Sequence, residues 1–222
     1  MKDLPQSVNW TEAGYVTAVK DQGNCGSCWA FSAIGALEAT WMNYSKKLVP
    51  LSEQQLVDCS GKQGNEGCAG GWMDWAFDYV WDNAIETEES YPYTGLNGYC
   101  HDDYDLGVFQ IDGYKYVKHN SSEQLMAALA QIPVSASIAV GQGFQLYTSG
   151  ILTQDACGDI VNHGILVTGY GHDSALNEDY WIVKNSWSAD WGEAGYVRLK
   201  KTLETGLGTC FICNQPVWPF KK

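Results

Sequence analysis

Ala30, Ile34, Leu37 and Trp41 recur at steps of three and four residues, which is the stripe of an amphipathic helix beginning near Cys28. Trp72, Trp75, Ala76, Tyr79 and Val80 repeat that geometry. Between them Ser52-Glu53-Gln54-Gln55 reads as a capping box that opens a short helix. Leu125, Met126 and Leu129 predict a further helix after Ser121-Ser122, stopped by Pro133. Beyond Pro133 the pattern changes. Val134 to Val140, Gly164 to Tyr170, Tyr180 to Lys184 and Tyr196 to Lys200 are short runs rich in β-branched and aromatic residues, separated by Gly or polar turns, and they predict strands. The pattern is α+β, with helices in the first half and strands in the second. The sequence shows no internal repeat or low-complexity tract.

Composition narrows the function classes. The chain has 222 residues and is 45% hydrophobic, enough for one large domain or two small ones with genuine cores. Eight cysteines are too many for an ordinary cytosolic enzyme of this size and point to folding in an oxidising compartment. With 26 acidic residues against 13 basic ones the net charge is −13, which repels phosphate surfaces and argues against nucleic-acid or anionic-membrane partners. Carboxylate repulsion weakens as pH falls toward about 5, so an acidic lumen is tolerated. No apolar run reaches the roughly 18 to 20 residues of a transmembrane helix. Met1-Lys2-Asp3-Leu4-Pro5 shows no signal-peptide core, so the chain is expected to start as a processed domain does. Asn9-Trp10-Thr11, Asn43-Tyr44-Ser45 and Asn120-Ser121-Ser122 are N-glycosylation tripeptides.

The reactive chemistry concentrates in Gln22-Gly23-Asn24-Cys25-Gly26-Ser27-Cys28-Trp29-Ala30-Phe31. A helix that starts at Cys28 aims free backbone N–H groups and a partial positive charge at the sulfur, which favours the thiolate. A Cys-x-x-Cys pair also suits a redox centre or half a zinc site, and Cys210-Phe211-Ile212-Cys213 is a second one. The two pairs are far apart in sequence and no compact strand-helix unit follows the first. Neither a metal site nor thioredoxin-like chemistry is therefore expected.

This decapeptide resembles the nucleophile segment of papain-like cysteine proteases, in which C-G-[SA]-C-[WY] is followed far downstream by His and Asn. His163, in Val161-Asn162-His163-Gly164, falls inside the family's downstream range of about 130 to 150 residues. Asn185, in Val183-Lys184-Asn185-Ser186-Trp187, falls slightly past it. The excess is assigned to the polar stretch Gly171 to Asp179, read as a lengthened surface turn. The other histidines, His101, His119 and His172, lie in polar surroundings and read as surface residues.

The resemblance extends from Leu4 to Pro219 and is closest to cathepsin L-like endopeptidases. It implies one peptidase domain over residues 1–222 with a papain-like two-lobe fold. A helical left lobe (12–115) and an antiparallel β-barrel-like right lobe (116–217) would flank an interlobe cleft, with the termini crossing between lobes. Cys28 is implied as the nucleophile, with a thiol pKa of roughly 3 to 4. His163 would hold the ion pair and later protonate the leaving amine, and Asn185 would orient its imidazole. Gln22 and the Cys28 backbone N–H would stabilise the oxyanion. Trp187 would cover the Asn185–His163 hydrogen bond. Three disulfides are implied, Cys25–Cys68, Cys59–Cys100 and Cys157–Cys210. Cys28 is left free, and Cys213 is either a buried inert thiol or the partner of Cys157 in place of Cys210.

For substrate, Gly67-Cys68-Ala69-Gly70-Gly71 matches the family's glycine wall, where Gly70 and Gly71 would let an extended peptide pair its backbone with the protein. Trp72, Met73, Ser137, Val161, Gly164 and Gln215 fall where the family builds the pocket for the second residue before the cut, and Asn162 and Trp187 complete the cleft. Ser137 and Gln215 suggest a polar floor between apolar walls. Ser188 and Phe211 stand where the family usually has Gly. No histidine-bearing insertion or appended segment suggests an exopeptidase. The resemblance implies peptide or protein substrates, no cofactor, no metal, no nucleic-acid or membrane partner, a monomer, a pro-segment and cystatin-like inhibitors as partners, and a lysosomal, vacuolar or extracellular location. The competing readings are a transpeptidase or ligase of the same fold and a non-catalytic binding or storage protein.

Overall fold

The computed structural model describes residues 4–203 and 205–222. Residues 1–3, the start of the expected domain, lie outside the described residues. Helix α1 (Cys28–Ser45) begins at the cysteine that the apolar stripe indicated. It is not amphipathic in place, since every residue from Ser32 to Thr40 is buried. The helix is wrapped on all sides because packing from both lobes covers its polar residues as well. Ser32 Oγ donates to the Ile165 carbonyl at 2.6 Å, and Thr40 Oγ1 reaches the Pro219 carbonyl at 3.2 Å. A Cβ on Gly35 would lie 2.7 Å from Leu166 Cδ2, so glycine permits this close helix-to-strand approach.

Helix α2 (Glu53–Cys59) is capped by Ser52, whose Oγ accepts from the Gln55 N–H at 3.0 Å. Only half of the expected capping box forms. The Gln55 side chain instead donates to Tyr79 and the Ala84 carbonyl and accepts from the Glu86 N–H. Helix α3 (Met73–Asp82) forms where expected, but its buried face is Met73, Ala76, Phe77, Tyr79 and Val80, with Trp72 exposed just before the helix and Trp75 half-buried. Helix α4 (Ser122–Leu129) follows its predicted stripe, and Ser121 Oγ caps it by accepting from the Gln124 N–H. The short α5 (Gln142–Gln145) was not legible in the sequence.

The strands are β1 (Val8–Asn9), β2 (Gly113–Tyr116), β3 (Val134–Ile138), β4 (Ile151–Leu152), β5 (His163–Asp173), β6 (Glu178–Lys184), β7 (Tyr196–Lys200) and β8 (Val217–Phe220). They form one sheet in the order β2-β8-β3-β5-β6-β7-β4, with β1 also on β5, antiparallel except for β4 with β7. Among the described residues the ends β2 and β4 do not pair, so the antiparallel-rich sheet of this lobe is not closed. β3 stops at Ile138 because the next two N–H groups turn away, Ala139 to the Cys210 carbonyl and Val140 to Asn162 Oδ1. The stretch from Gly171 to Asp179 is mostly not a turn. It prolongs the β5–β6 hairpin, pairing Gly171 with Tyr180, His172 with Asp179 and Asp173 with Glu178.

Two apolar cores result. One gathers Trp29, Ile34, Leu37, Leu56, Phe77 and Val80 among the helices. The other gathers Leu125, Val134, Phe144, Val167, Trp181 and Leu199 around the sheet. Between them lies a charged network. Lys20 Nζ sits 2.7 Å from Glu53 and 3.4 Å from Glu38, both carboxylates being buried, while Lys184 Nζ donates to the Thr17 carbonyl at 2.9 Å. The three implied disulfides are all present, and Cys28 and Cys213 are free. Cys213 is buried beside Ser122 Oγ at 3.6 Å. Among the described residues no helix is long and apolar enough to cross a membrane.

Candidate active site

Strand pairing assembles the site. His163 opens β5 and Asn185 directly follows β6, and these two strands are antiparallel neighbours. That register brings His163 Nε2 to 2.8 Å from Asn185 Oδ1. With Nε2 occupied, the ring's other nitrogen, Nδ1, is the one left for chemistry. On the other side of β5, the β3 register sets Ser137 against Gly164 and Ile138 against His163. Gly164 in turn meets the start of α1: a Cβ there would lie 3.0 Å from the Cys28 carbonyl oxygen and 3.1 Å from the Trp29 nitrogen. The helix that carries the sulfur and the strand that carries the imidazole are thus in direct backbone contact.

Cys28, His163 and Gln22 line one cavity of about 430 Å³. Its walls also include Gly70, Gly71, Trp72, Met73, Ser137, Val161, Asn162, Gly164 and Trp187. Of the residues expected here, Gln215 is absent from the lining; it lies half-buried just before β8, where Pro216 and Val217 lead into the sheet. Asn185 stands behind His163 and does not line the cavity either. Gly26, Trp29 and Ala69 line it without having been singled out. Their signal was adjacency: Gly26 and Trp29 belong to the cysteine decapeptide and Ala69 to the glycine run.

Gln22 is held at four points. Its N–H donates to the Ser186 carbonyl at 2.9 Å, its Oε1 accepts from Ser186 Oγ at 2.7 Å, its Nε2 donates to the Cys25 carbonyl at 2.9 Å, and its own carbonyl accepts from Tyr93 at 2.8 Å. Nε2 keeps one further N–H for a ligand. The glycine wall is fixed from behind by Asn65, whose Oδ1 accepts from the Trp72 N–H at 2.8 Å. A Cβ on Gly71 would sit 2.2 Å from that Oδ1, and Gly70 has φ +128°, so side chains are excluded at both positions. Asn162 is clamped to Val140 by two hydrogen bonds of 2.8 and 3.1 Å.

Trp187 lies over the imidazole, with ring centroids 4.8 Å apart. It is backed by Phe144 and Trp191, whose rings stack at 5.2 Å. This aromatic buttress depends on α5 and was missed. Ser188 and Phe211, the two residues at usual glycine positions, both adopt left-handed backbone, with φ of 68° and 66°. The turns keep the shape glycine would allow, at a cost of roughly 1 to 2 kcal/mol each.

Burial acts against both charges of the expected ion pair. It pushes the Cys28 thiol up, although the backbone N–H groups of Gly164, Trp29 and Cys28 itself pull the other way. It pushes His163 down to about 4, against the hydrogen bond to Asn185. The helix start favours the thiolate and burial opposes it, so the low pKa implied by the resemblance would depend on the His163 partner. On this half-buried cavity wall each charge would be stabilised by the other as a pair. Asn185 Nδ2 and Ser137 Oγ are buried without a partner, and the latter belongs to a residue on the cavity wall.

The family model for papain family cysteine proteases matches residues 4–220. The chain is 46% identical over 224 residues to a KDEL-tailed cysteine endopeptidase of Arabidopsis thaliana, covering 100% of the chain and 61% of that relative. It is 44% identical over 217 residues to a cathepsin L-like proteinase of Fasciola hepatica, covering 96% of the chain and 66% of the relative. The chain thus spans about three fifths to two thirds of the length of these curated relatives. Among solved structures, digestive procathepsin L 3 of Tenebrio molitor larval midgut superposes with a TM-score of 0.92 at 40% identity, over 99% of this chain and 71% of that one.

Proposed function

The chain belongs to the papain family of cysteine proteases, and from that membership we propose that it is a cysteine endopeptidase working as one domain, with Cys28, His163, Asn185 and Gln22 as its machinery. The observation that carries this reading is the fixed imidazole: His163 Nε2 is tied to Asn185 at 2.8 Å, on the wall of the cavity that Cys28 and Gln22 share. The proton of the Cys28 thiol passes to His163 Nδ1, so thiolate and imidazolium form in one event. The sulfur then attacks the scissile carbonyl carbon, and its oxygen becomes an anion received by the Cys28 N–H and the remaining N–H of Gln22 Nε2. As the tetrahedral intermediate collapses, the imidazolium protonates the departing amine and an acyl thioester remains. The neutral imidazole next takes a proton from water, hydroxide adds to the thioester carbonyl, and the carboxylic acid product leaves as the sulfur regains its proton through His163, the acid then losing its own proton to solvent. Trp187 over the imidazole keeps bulk water from competing for Asn185.

An extended peptide would lie along Gly70 and Gly71, with the side chain before the P1 residue directed toward Trp72, Met73, Ser137, Val161 and Gly164. Ser137 supplies a polar group there. Passage through the secretory pathway to a lysosomal, vacuolar or extracellular destination fits the three disulfides and the relative named for its KDEL tail. Control by a pro-segment fits the proenzyme form of the Tenebrio molitor structure. Cystatin-like inhibition and a monomeric state complete the proposal.

The test is a fluorogenic peptide profile varying P1 and P2 from about pH 4 to 8, with Cys28→Ala and His163→Ala as controls and Cys28 titrated by an epoxysuccinyl inhibitor. Hydrolysis abolished in both variants supports the reading. Turnover surviving in Cys28→Ala refutes it, and product joined to an added amine in preference to water would assign the transpeptidase chemistry instead.

A further inference from the structure

Ser27 caps α1 by position but not by side chain, because its Oγ makes no bond to the helix. It bonds instead to the phenolic oxygen of Tyr93 at 2.7 Å. The same Tyr93 hydroxyl donates to the Gln22 carbonyl at 2.8 Å. A carbonyl can only accept, so the phenol's one proton goes to Gln22 and its oxygen accepts from Ser27. The chain of donation therefore runs from Ser27 through Tyr93 to Gln22. Ser27 immediately precedes Cys28, whose backbone N–H is one oxyanion donor, and Gln22 carries the other. A single phenol oxygen connects both halves of the oxyanion pocket.

Tyr93 is itself braced. Its N–H donates to Glu88 Oε1 at 3.0 Å, and its ring meets Phe31, on the first turn of α1, edge to face at 4.9 Å. Burial raises the phenol's pKa, which keeps the donated proton in place. The Gln22–Gly23 peptide is held at its two ends by different groups: the Gly23 N–H donates to Asp21 Oδ1 at 2.9 Å, and the Gln22 carbonyl accepts from Tyr93. Gly23 has φ +60°, a left-handed turn directly after Gln22, and Tyr93 supplies the hydrogen bond on the carbonyl side of that turn. Ser186 holds the N–H side of Gln22, and the carbonyl side is held by Tyr93.

We propose that Tyr93 is a positioning residue for the oxyanion pocket, fixing Gln22 relative to the start of α1 through its hydroxyl. This rests on the reading of Gln22 and the Cys28 N–H as the oxyanion donors. Tyr93 touches no reacting atom.

Tyr93→Phe keeps the ring and its contact with Phe31 and removes only the hydroxyl. Its kcat is expected to fall roughly tenfold with KM within about twofold, less than the loss of a whole donor. Affinity for a peptide aldehyde, whose thiohemiacetal oxygen occupies the pocket, falls by the same factor. The rate at which iodoacetamide alkylates Cys28, and its pH profile, stay unchanged, because alkylation creates no oxyanion. In a Gln22→Ala background the Tyr93→Phe change costs less than about twofold, since the residue acts through Gln22. Ser27→Ala, which leaves the phenol's proton on Gln22, loses about two- to threefold of kcat with the same selectivity and stands in if Tyr93→Phe folds poorly. The proposal is overturned if aldehyde affinity is unchanged, if aldehyde affinity and alkylation rate fall together, or if the effects of Tyr93→Phe and Gln22→Ala add. Failure of the parent reading looks different: Gln22→Ala alone would then keep full kcat and aldehyde affinity.

Discussion

Removing the sulfur should reveal what burial does to the imidazole. In Cys28→Ala no thiolate can stabilise His163⁺, and what remains is an imidazole 7% exposed with one hydrogen bond to Asn185. Burial then holds its pKa at about 4 against an ordinary 6.5. Each unit corresponds to about 1.4 kcal/mol, so the buried neutral ring is worth about 3 kcal/mol. The sign is set by which state binds the proton. Above pH 6.5 His163 is neutral folded or unfolded, and its contribution is fully present. Between 6.5 and about 4 the unfolded chain takes up a proton that the folded chain refuses, and that stability is lost as pH falls. The assay is a ¹⁵N-histidine titration of Cys28→Ala beside wild type, with His163 assigned by its loss in the double variant lacking it. His163 of Cys28→Ala should titrate near 4, whereas in wild type the proton shared with Cys28 should keep the ring charged well above that pH. An ordinary imidazole titration in Cys28→Ala would refute the burial argument. A wild-type ring that stays neutral at every pH where peptides are cleaved would refute the ion pair.

Three other outcomes are expected from the contacts. Gln22→Ala should lower kcat by about 10²- to 10³-fold with little change in KM, as the loss of one oxyanion donor does, and steady-state kinetics checks it. Ser137→Val removes a buried hydroxyl that has no partner, so urea unfolding should show stability unchanged or raised by about 1 kcal/mol, while a P2 library shifts toward apolar side chains. Lys20→Met leaves Glu38 and Glu53 buried side by side without their cation and should cost about 3 to 5 kcal/mol in urea unfolding. Burial raises the Glu53 pKa against the pull of Lys20, so the loss should shrink as pH falls and the carboxyl takes up a proton.

What the residues determined locally is clear from particular elements. The stripe through Ala30, Ile34 and Leu37, the Ser52 and Ser121 caps and the Tyr196 to Lys200 run were readable because each depends on neighbours three or four positions away, or on alternation along one strand. The decapeptide around Cys28, with His163 and Asn185, was equally readable because nucleophilic chemistry restricts residue type strongly. Tertiary structure decided the rest. That α1 is wrapped on every side, that Gly171 to Asp179 lengthens a hairpin, and that the sheet stays open depend on which distant segment lies alongside. The same holds for Trp187 resting on Phe144 and Trp191. The balance at the Cys28 thiol belongs to this class too, since a helix start lowers a thiol's pKa by a local field while burial raises it by excluding water, and burial is a property of the packed structure.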